Sequence, residues 1–159
     1  MNIRVGFGFD VHQFSTGRKC IIGGVEISHE KGPLGHSDAD VLLHAVCDAL
    51  LGAAGLKDIG TYFPDTSTEF KNANSRVLLK KCLELVREKG YRVGNIDSSL
   101  CLEAPKLLPH IDQMKLNISS DLGIHVDEVS IKATTNEKMG FIGREEGLVA
   151  YAVVLLIKD

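Results

Sequence analysis

Asp10 and His12 are the first residues in this 159-residue chain whose types and spacing could hold a metal. In an extended strand, residues i and i+2 project to the same side, so a carboxylate and an imidazole would leave the strand together. Such a pair is a normal part of a zinc site. Taken alone, Asp-x-His is common, and most instances ligate nothing. A second cluster, HSDADVLLHAVCD, spaces His36, Asp40, His44 and Asp48 by four. On one helix they would form a drifting polar stripe beside Leu42, Leu43, Val46, Ala49 and Leu50. A solvated helix face with acids near its N-terminus would look the same. His44 lies among apolar neighbours, where a histidine is more often a hydrogen-bonded core residue than a ligand. Yet Asp10 and His12 need one or two further ligands, and this is the densest supply of histidine available. Three protein ligands would leave an open fourth position, the catalytic arrangement.

Three further stretches carry polar groups of the right kinds. KATTNEKMGFIGREEG runs from a strand into two hydroxyls, an amide and a carboxylate. Hydroxyls and amides can hold phosphate oxygens, and Glu137 could hold a hard cation such as Mg²⁺. A β-turn would use the same residues. DIGTYFPDTS could present Asp58 and the backbone near Gly60 to a sugar or base, or be a surface loop. EAPKLLPHI could be helix punctuation, or could offer backbone N–H groups and Lys106 to an anion.

The elements that must position these groups read as one domain over residues 1–159, a length able to bury a real core. Hydrophobic residues make up 44% and charged residues 25%, as in ordinary globular chains. A net charge of −3 gives no basic footprint for nucleic acid or an anionic membrane. No apolar run approaches the ~20 residues of a membrane span, and the N-terminus lacks the long apolar segment of a signal peptide. Cys20, Cys47, Cys82 and Cys101 are scattered, with no C-x-x-C, which reads as reduced thiols in a cytoplasmic protein.

Alternation predicts a strand over 3–9, and Gly23-Gly24 predicts a hairpin within 20–27. Ser37 is the expected cap of a helix running to Gly55, followed by a polar loop over 56–74. A second helix over 75–90 shows Val77, Leu78, Cys82, Leu85 and Val86 on one face. A strand over 91–104 places Ile96, Ser98, Leu100 and Leu102 together, and a third helix is expected from near Pro105 to Gly123. A strand from Glu128, a turn-rich connection over 140–147 and an apolar closing strand over 148–158 complete the chain. This order indicates an α/β (α+β-like) fold with a mixed sheet, helices on one face and a small β-hairpin.

The motifs together closely resemble the 2-C-methyl-D-erythritol 2,4-cyclodiphosphate synthases of the non-mevalonate isoprenoid pathway. The resemblance covers nearly the whole chain, through RVGFGFDVH, GGVEISHEKGPLGHSDADVLLHAVCDALLGAAGLKDIGTYFPDT, EAPKLLPHI and KATTNEKMGFIGREEG. It implies a homotrimer with active sites between subunits, one zinc per subunit on Asp10, His12 and His44, and Mg²⁺ or Mn²⁺ near Glu137 on the substrate diphosphate. It implies that His36 and Thr135 contact the transferring phosphate, with Ser37, Thr134 and Asn136 nearby. Asp58, Ile59 and Gly60 would meet the sugar, and Phe63, Pro64, Asp65, Thr66 and Ser67 would form a mobile substrate loop. Leu102, Glu103, Ala104, Pro105, Lys106, Leu107 and Leu108 would form the cytosine pocket, with Phe141 and Arg144 lining the site. Phe9, Arg144 and Glu146 would face an apolar channel on the trimer axis, a candidate site for an isoprenoid diphosphate. Gln13, Asn136, Glu145 and Phe7 depart from residues common in the family, and none is a ligand.

The implied reaction is attack of the substrate's 2-phosphate on its β-phosphorus with release of CMP, a phosphorus–oxygen lyase reaction. A zinc phosphohydrolase would instead give a linear product. A non-catalytic trimer holding a nucleotide around structural zinc would close the fourth metal position with protein.

Overall fold

The computed structural model describes residues 2–158, apart from the side chain of Glu69. Among them, a five-stranded mixed sheet has the order β4-β1-β7-β5-β6: β1 (Ile3–Thr16), β4 (Lys31–Pro33), β5 (Tyr91–Cys101), β6 (Val129–Thr134) and β7 (Gly147–Lys158). Only β5 and β6 run parallel; the other neighbours are antiparallel. β2 (Cys20–Ile22) and β3 (Val25–Ile27) form the separate expected hairpin. Gly23 and Gly24 supply its two positive-φ turn residues, at 60° and 70°. Helices α1 (Val41–Ala53), α3 (Ser75–Glu88) and α4 (Ile111–Leu122) cover one face of the sheet.

β1 continues past the expected residue 9 to Thr16, because Phe14–Thr16 pair with β4. Asp10 and His12 therefore lie within a strand, not at its end, and still share a face. β4 itself is Lys-Gly-Pro, a sequence typical of a loop; proline is tolerated there because β4 is an edge strand. The polar loop after α1 contains the short helix α2 (Ile59–Tyr62) and a 3₁₀ turn at Thr68–Phe70. Similarly, the 140–147 connection contains α5 (Gly140–Gly143). α4 starts at Ile111, after a 3₁₀ turn that takes up Pro109, and not near Pro105. On α3, Ser75, Leu79 and Leu83 join the buried face, while Val77 turns outward.

α1 packs on β1 and β7 below it and against α3 above, which is why its apolar residues are buried on nearly all sides. Gly6 and Gly8 let it approach β1 at backbone distance: a Cβ at Gly8 would fall 1.8 Å from the Ala45 carbonyl oxygen. The bulky alternate residues of β1, Ile3, Val5, Phe7, Phe9 and Val11, face the opposite way and are exposed with Tyr151 and Val153 of β7. Among the described residues, no helix is long and apolar enough to cross a membrane.

Candidate metal centre and adjoining cavities

The helix carrying His44 begins at Val41, not at Ser37, so His36 does not share its stripe. Ala39 adopts a left-handed backbone with φ of 57°, and Asp40 caps the helix by accepting from Leu43 N–H. Fully buried Asp40 also accepts from Gly23 and Gly24 N–H, at 2.9 and 2.7 Å, and so ties the hairpin turn to the start of α1. Burial and the nearby Asp38 push its pKa up to about 6, against the pull of those three N–H donors.

One turn further on, His44 meets β1. His12 Nε2 lies 2.9 Å from Asp10 Oδ2 and 3.3 Å from His44 Nδ1, and His44 Nδ1 lies 3.1 Å from Asp10 Oδ2. A tetrahedral zinc with ligands at ~2.0–2.1 Å sets neighbouring donor atoms ~3.3 Å apart, close to these three separations. The distal ring nitrogens are also engaged. His12 Nδ1 sits 2.9 Å from the Leu34 carbonyl, which can only accept, so Nε2 is left as a bare lone pair toward Asp10. Among the described residues, these three form the one cluster of histidine, cysteine and carboxylate groups able to hold a metal. A His12 lone pair facing a carboxylate is repelled by it unless a cation lies between them, so the donor set fits a divalent ion. Without a metal, a proton takes that role. Burial raises the Asp10 pKa, but hydrogen bonds from His12 and His44 outweigh it and leave about 2. Burial lowers the His44 pKa, and Asp10 more than reverses this.

The tripod opens into a cavity of about 490 Å³ that is also lined by His36, Ser37, Ile59, Gly60, Phe63, Pro64 and Asp65. His36 Nε2 donates to the Ser67 carbonyl at 2.8 Å, tying the 63–67 segment to the site. Asp58 caps α2 through Thr61, while Asp48 accepts from Ile59 N–H at 2.7 Å and anchors that helix to α1. Thr66 lies beside the cavity without lining it.

A second cavity, about 480 Å³, is lined by Leu102, Glu103, Pro105, Lys106, Leu107, Leu108, Thr134 and Thr135; Ala104 is not in its lining. Val11, Val149, Cys101 and Thr134 are level across the sheet, so both cavities lie at the same end. Three strand spacings separate β1 from β6, ~14 Å. One chain thus leaves His36 and Thr135 in different cavities. Glu103 accepts from Asn136 and Lys138 N–H and so fixes the loop that exposes Glu137. Phe141 and Glu146 border a third cavity beside Val11 and Gln13. Arg144 pairs with Glu146 on the exposed side, and Phe9 packs 5.4 Å from the Tyr151 ring. Asp38, Ser75 and Leu34, which hold the two histidines, had no sequence signal, because each acts across the chain.

A mixed sheet backed by helices, with an Asp-His-His tripod opening beside polar loops, defines an α/β protein with a candidate metal centre. Comparison with known proteins narrows this class. The chain belongs to the YgbB family, whose family model matches residues 3–157. It is 61% identical over 159 residues to the 2-C-methyl-D-erythritol 2,4-cyclodiphosphate synthase of Bacteroides thetaiotaomicron, covering 100% of both chains. Its fold matches the bifunctional IspDF of Campylobacter jejuni with a TM-score of 0.95 and 46% identity; the match takes in 99% of this chain but 42% of that one. It matches IspF of Plasmodium falciparum, solved as a CDP complex, with a TM-score of 0.88 and 34% identity over 99% and 98% of the two chains.

Proposed function

We propose that the protein is a metal-dependent cyclase. It would convert 4-diphosphocytidyl-2-C-methyl-D-erythritol 2-phosphate to 2-C-methyl-D-erythritol 2,4-cyclodiphosphate and CMP. The observation that carries this reading is the Asp10–His12–His44 tripod opening onto His36 and Ser37, in a chain 61% identical end to end with a synthase of that name.

Asp10, His12 and His44 would hold zinc, and Glu137 with the substrate diphosphate would hold Mg²⁺ or Mn²⁺. When bound, these ions supply Lewis acidity that polarises phosphoryl oxygens and offsets their charge. The chain's own residues have a positioning task. The attacking 2-phosphate is a monoester with its second pKa near ~6, so it is largely dianionic at neutral pH and needs no general base. Its oxygen forms the new bond to the β-phosphorus as the bond to the α-phosphate bridging oxygen breaks and CMP leaves. Ser37 and Thr135 would donate to the transferring phosphate, most strongly as its charge redistributes, and His36 would join them where its Nε2–H exchanges the Ser67 carbonyl for a phosphate oxygen. The 63–67 segment, tied to His36, would limit water entry. Lys106, Leu107 and the backbone of 102–105 would hold the cytosine and its attached phosphate.

Because the two cavities flank different strands, β1 and β6, ~14 Å apart in one chain, a complete site would join the metal side of one subunit to the cytidine side of the next. The exposed apolar sheet face of Val5, Phe7, Phe9, Val11 and Val153 supports such a homotrimer. Phe9, Arg144 and Glu146 would then line its axis, where an isoprenoid diphosphate is the candidate occupant. The test is mass spectrometry of the product from the proposed substrate. The cyclic diphosphate supports the reading; a linear product one water heavier, or no turnover with zinc and Mg²⁺ present, overturns it.

A further inference from the structure

We infer that Asp38 and Ser75 are positioning residues that set the tautomer of His44 and thereby turn its Nδ1 lone pair toward Asp10 and His12. This rests on reading those three residues as a metal centre.

The argument is a proton count. The Ser75 hydroxyl has one hydrogen, and it donates to Asp38 Oδ1. Asp38 is held for this purpose, because it also accepts from Ser75 N–H at 2.9 Å and from Asp40 N–H at 3.1 Å. A carboxylate flanked by three donors stays an acceptor, so the Ser75 proton is committed to it. His44 Nε2 lies 2.9 Å from the same Ser75 oxygen. With the hydroxyl proton spent, that contact forms only if Nε2 carries the hydrogen. The ring then has no hydrogen left for Nδ1 in its neutral form, and Nδ1 faces Asp10 as a donor atom for a cation. Ser75 is fully buried at the first residue of α3, so no water competes for the contact. Ser37 Oγ, at 3.2 Å from Nε2, makes a second and longer contact on the same side. The chain thus orients both histidines from behind, His12 through a carbonyl and His44 through a serine and an acid.

The relay can be tested apart from turnover. In ¹⁵N-labelled, zinc-free protein at alkaline pH, long-range ¹H–¹⁵N spectra report which imidazole nitrogen is protonated. His44 is expected as the Nε2–H tautomer; an Nδ1–H tautomer overturns the proposal. Zinc affinity is then measured by competition with a chromophoric chelator. Ser75→Ala is expected to weaken it by about 10-fold to 100-fold, towards the lower end because Ser37 remains. Asp38→Asn lets an amide N–H donate to Ser75 Oγ, freeing the hydroxyl proton for His44, and is expected to shift the tautomer to Nδ1–H. If it does not fold, Ser75→Ala decides alone. Zinc affinity for Ser75→Ala within twofold of the parent overturns the proposal. A parent protein that binds no zinc overturns the metal reading instead, and the tautomer measurement separates the two failures.

Discussion

Replacing Gly8 by alanine should empty the metal site while leaving the fold standing. Gly8 precedes Asp10 on the same face of β1, directly beneath α1. A Cβ there would lie 1.8 Å from the Ala45 carbonyl oxygen and 2.8 Å from Ala49 N, and ordinary contact begins at 3.4 Å. The helix backbone must therefore recede locally by 3.4 − 1.8, or about 1.6 Å. His44 adjoins Ala45 and moves with it, from an Nδ1 position 3.1 Å from Asp10 Oδ2. Metal–ligand distances tolerate about 0.2 Å, so the shift removes His44 from the donor set. Overpacking of this kind costs about 1–3 kcal/mol, or a fall in Tm of roughly 2–12 °C at this chain length. The comparison is Gly52→Ala in the same helix, where nothing lies within 4 Å of the added carbon. That change is expected to stabilise by about 0.4–1 kcal/mol and leave zinc untouched. Zinc content after dialysis, chelator competition and melting of the zinc-free forms give the readout. Gly8→Ala with one tightly held zinc per chain would refute the claim that close helix–strand contact sets the site.

The other predictions fall on individual groups. His44→Ala should lose zinc and nearly all CMP release while retaining its circular dichroism spectrum; normal turnover would sink the metal assignment. Lys106→Ala should raise KM several-fold with little change in kcat, and a pure kcat loss would argue against a binding role for this exposed cavity residue. Zinc affinity should fall on acidification by about tenfold per pH unit for each proton displaced. That fall should already be under way at pH 6.5, because Asp10 holds the His44 pKa above that ordinary value; an affinity that starts to fall only below pH 6.5 would contradict it. Asp40→Ala should cost about 3 kcal/mol or more at neutral pH, because it leaves three backbone N–H groups without an acceptor. The native Asp40 pKa is raised from 3.8 to about 6, so its folded state holds the proton longer. Its stabilising contribution is full below about pH 4 and declines as pH rises to about 6. The gap between parent and variant in urea unfolding should therefore narrow over that window, and a widening gap would count against the raised pKa.

How far the site was legible depends on which forces placed each part. Alternation in β1 correctly put Asp10 and His12 on one face, because that follows from strand geometry alone. The same alternation says which residues travel together but not which side is covered. Bulky Ile3, Val5, Phe7 and Phe9 mark the open face, while Gly6 and Gly8 mark the packed one. The helix needs backbone-to-backbone approach there, and side-chain bulk would prevent it. The four-residue spacing from His36 to Asp48 suggested one stripe, and it fails at Ala39, whose left-handed backbone starts the helix late. His36 reaches the cavity from a loop, and Asp40 is withdrawn into the core to hold the hairpin. β4 was invisible because Lys-Gly-Pro has no strand propensity; only its partner Phe14–Thr16 makes it extended. The Asp38–Ser75 contact spans 37 residues, a separation at which local patterns carry no signal. Sheet order was equally out of reach, and it has the largest consequence. By inserting β7 and β5 between β1 and β6, it parts two motifs that a linear reading assigns to one pocket. Under the proposed assembly, the exposed apolar side of β1 and β7 would bring them together again across a subunit boundary. The residues that look misplaced in one chain, Phe7 and Phe9 turned to solvent and Thr135 distant from His36, then share one cause.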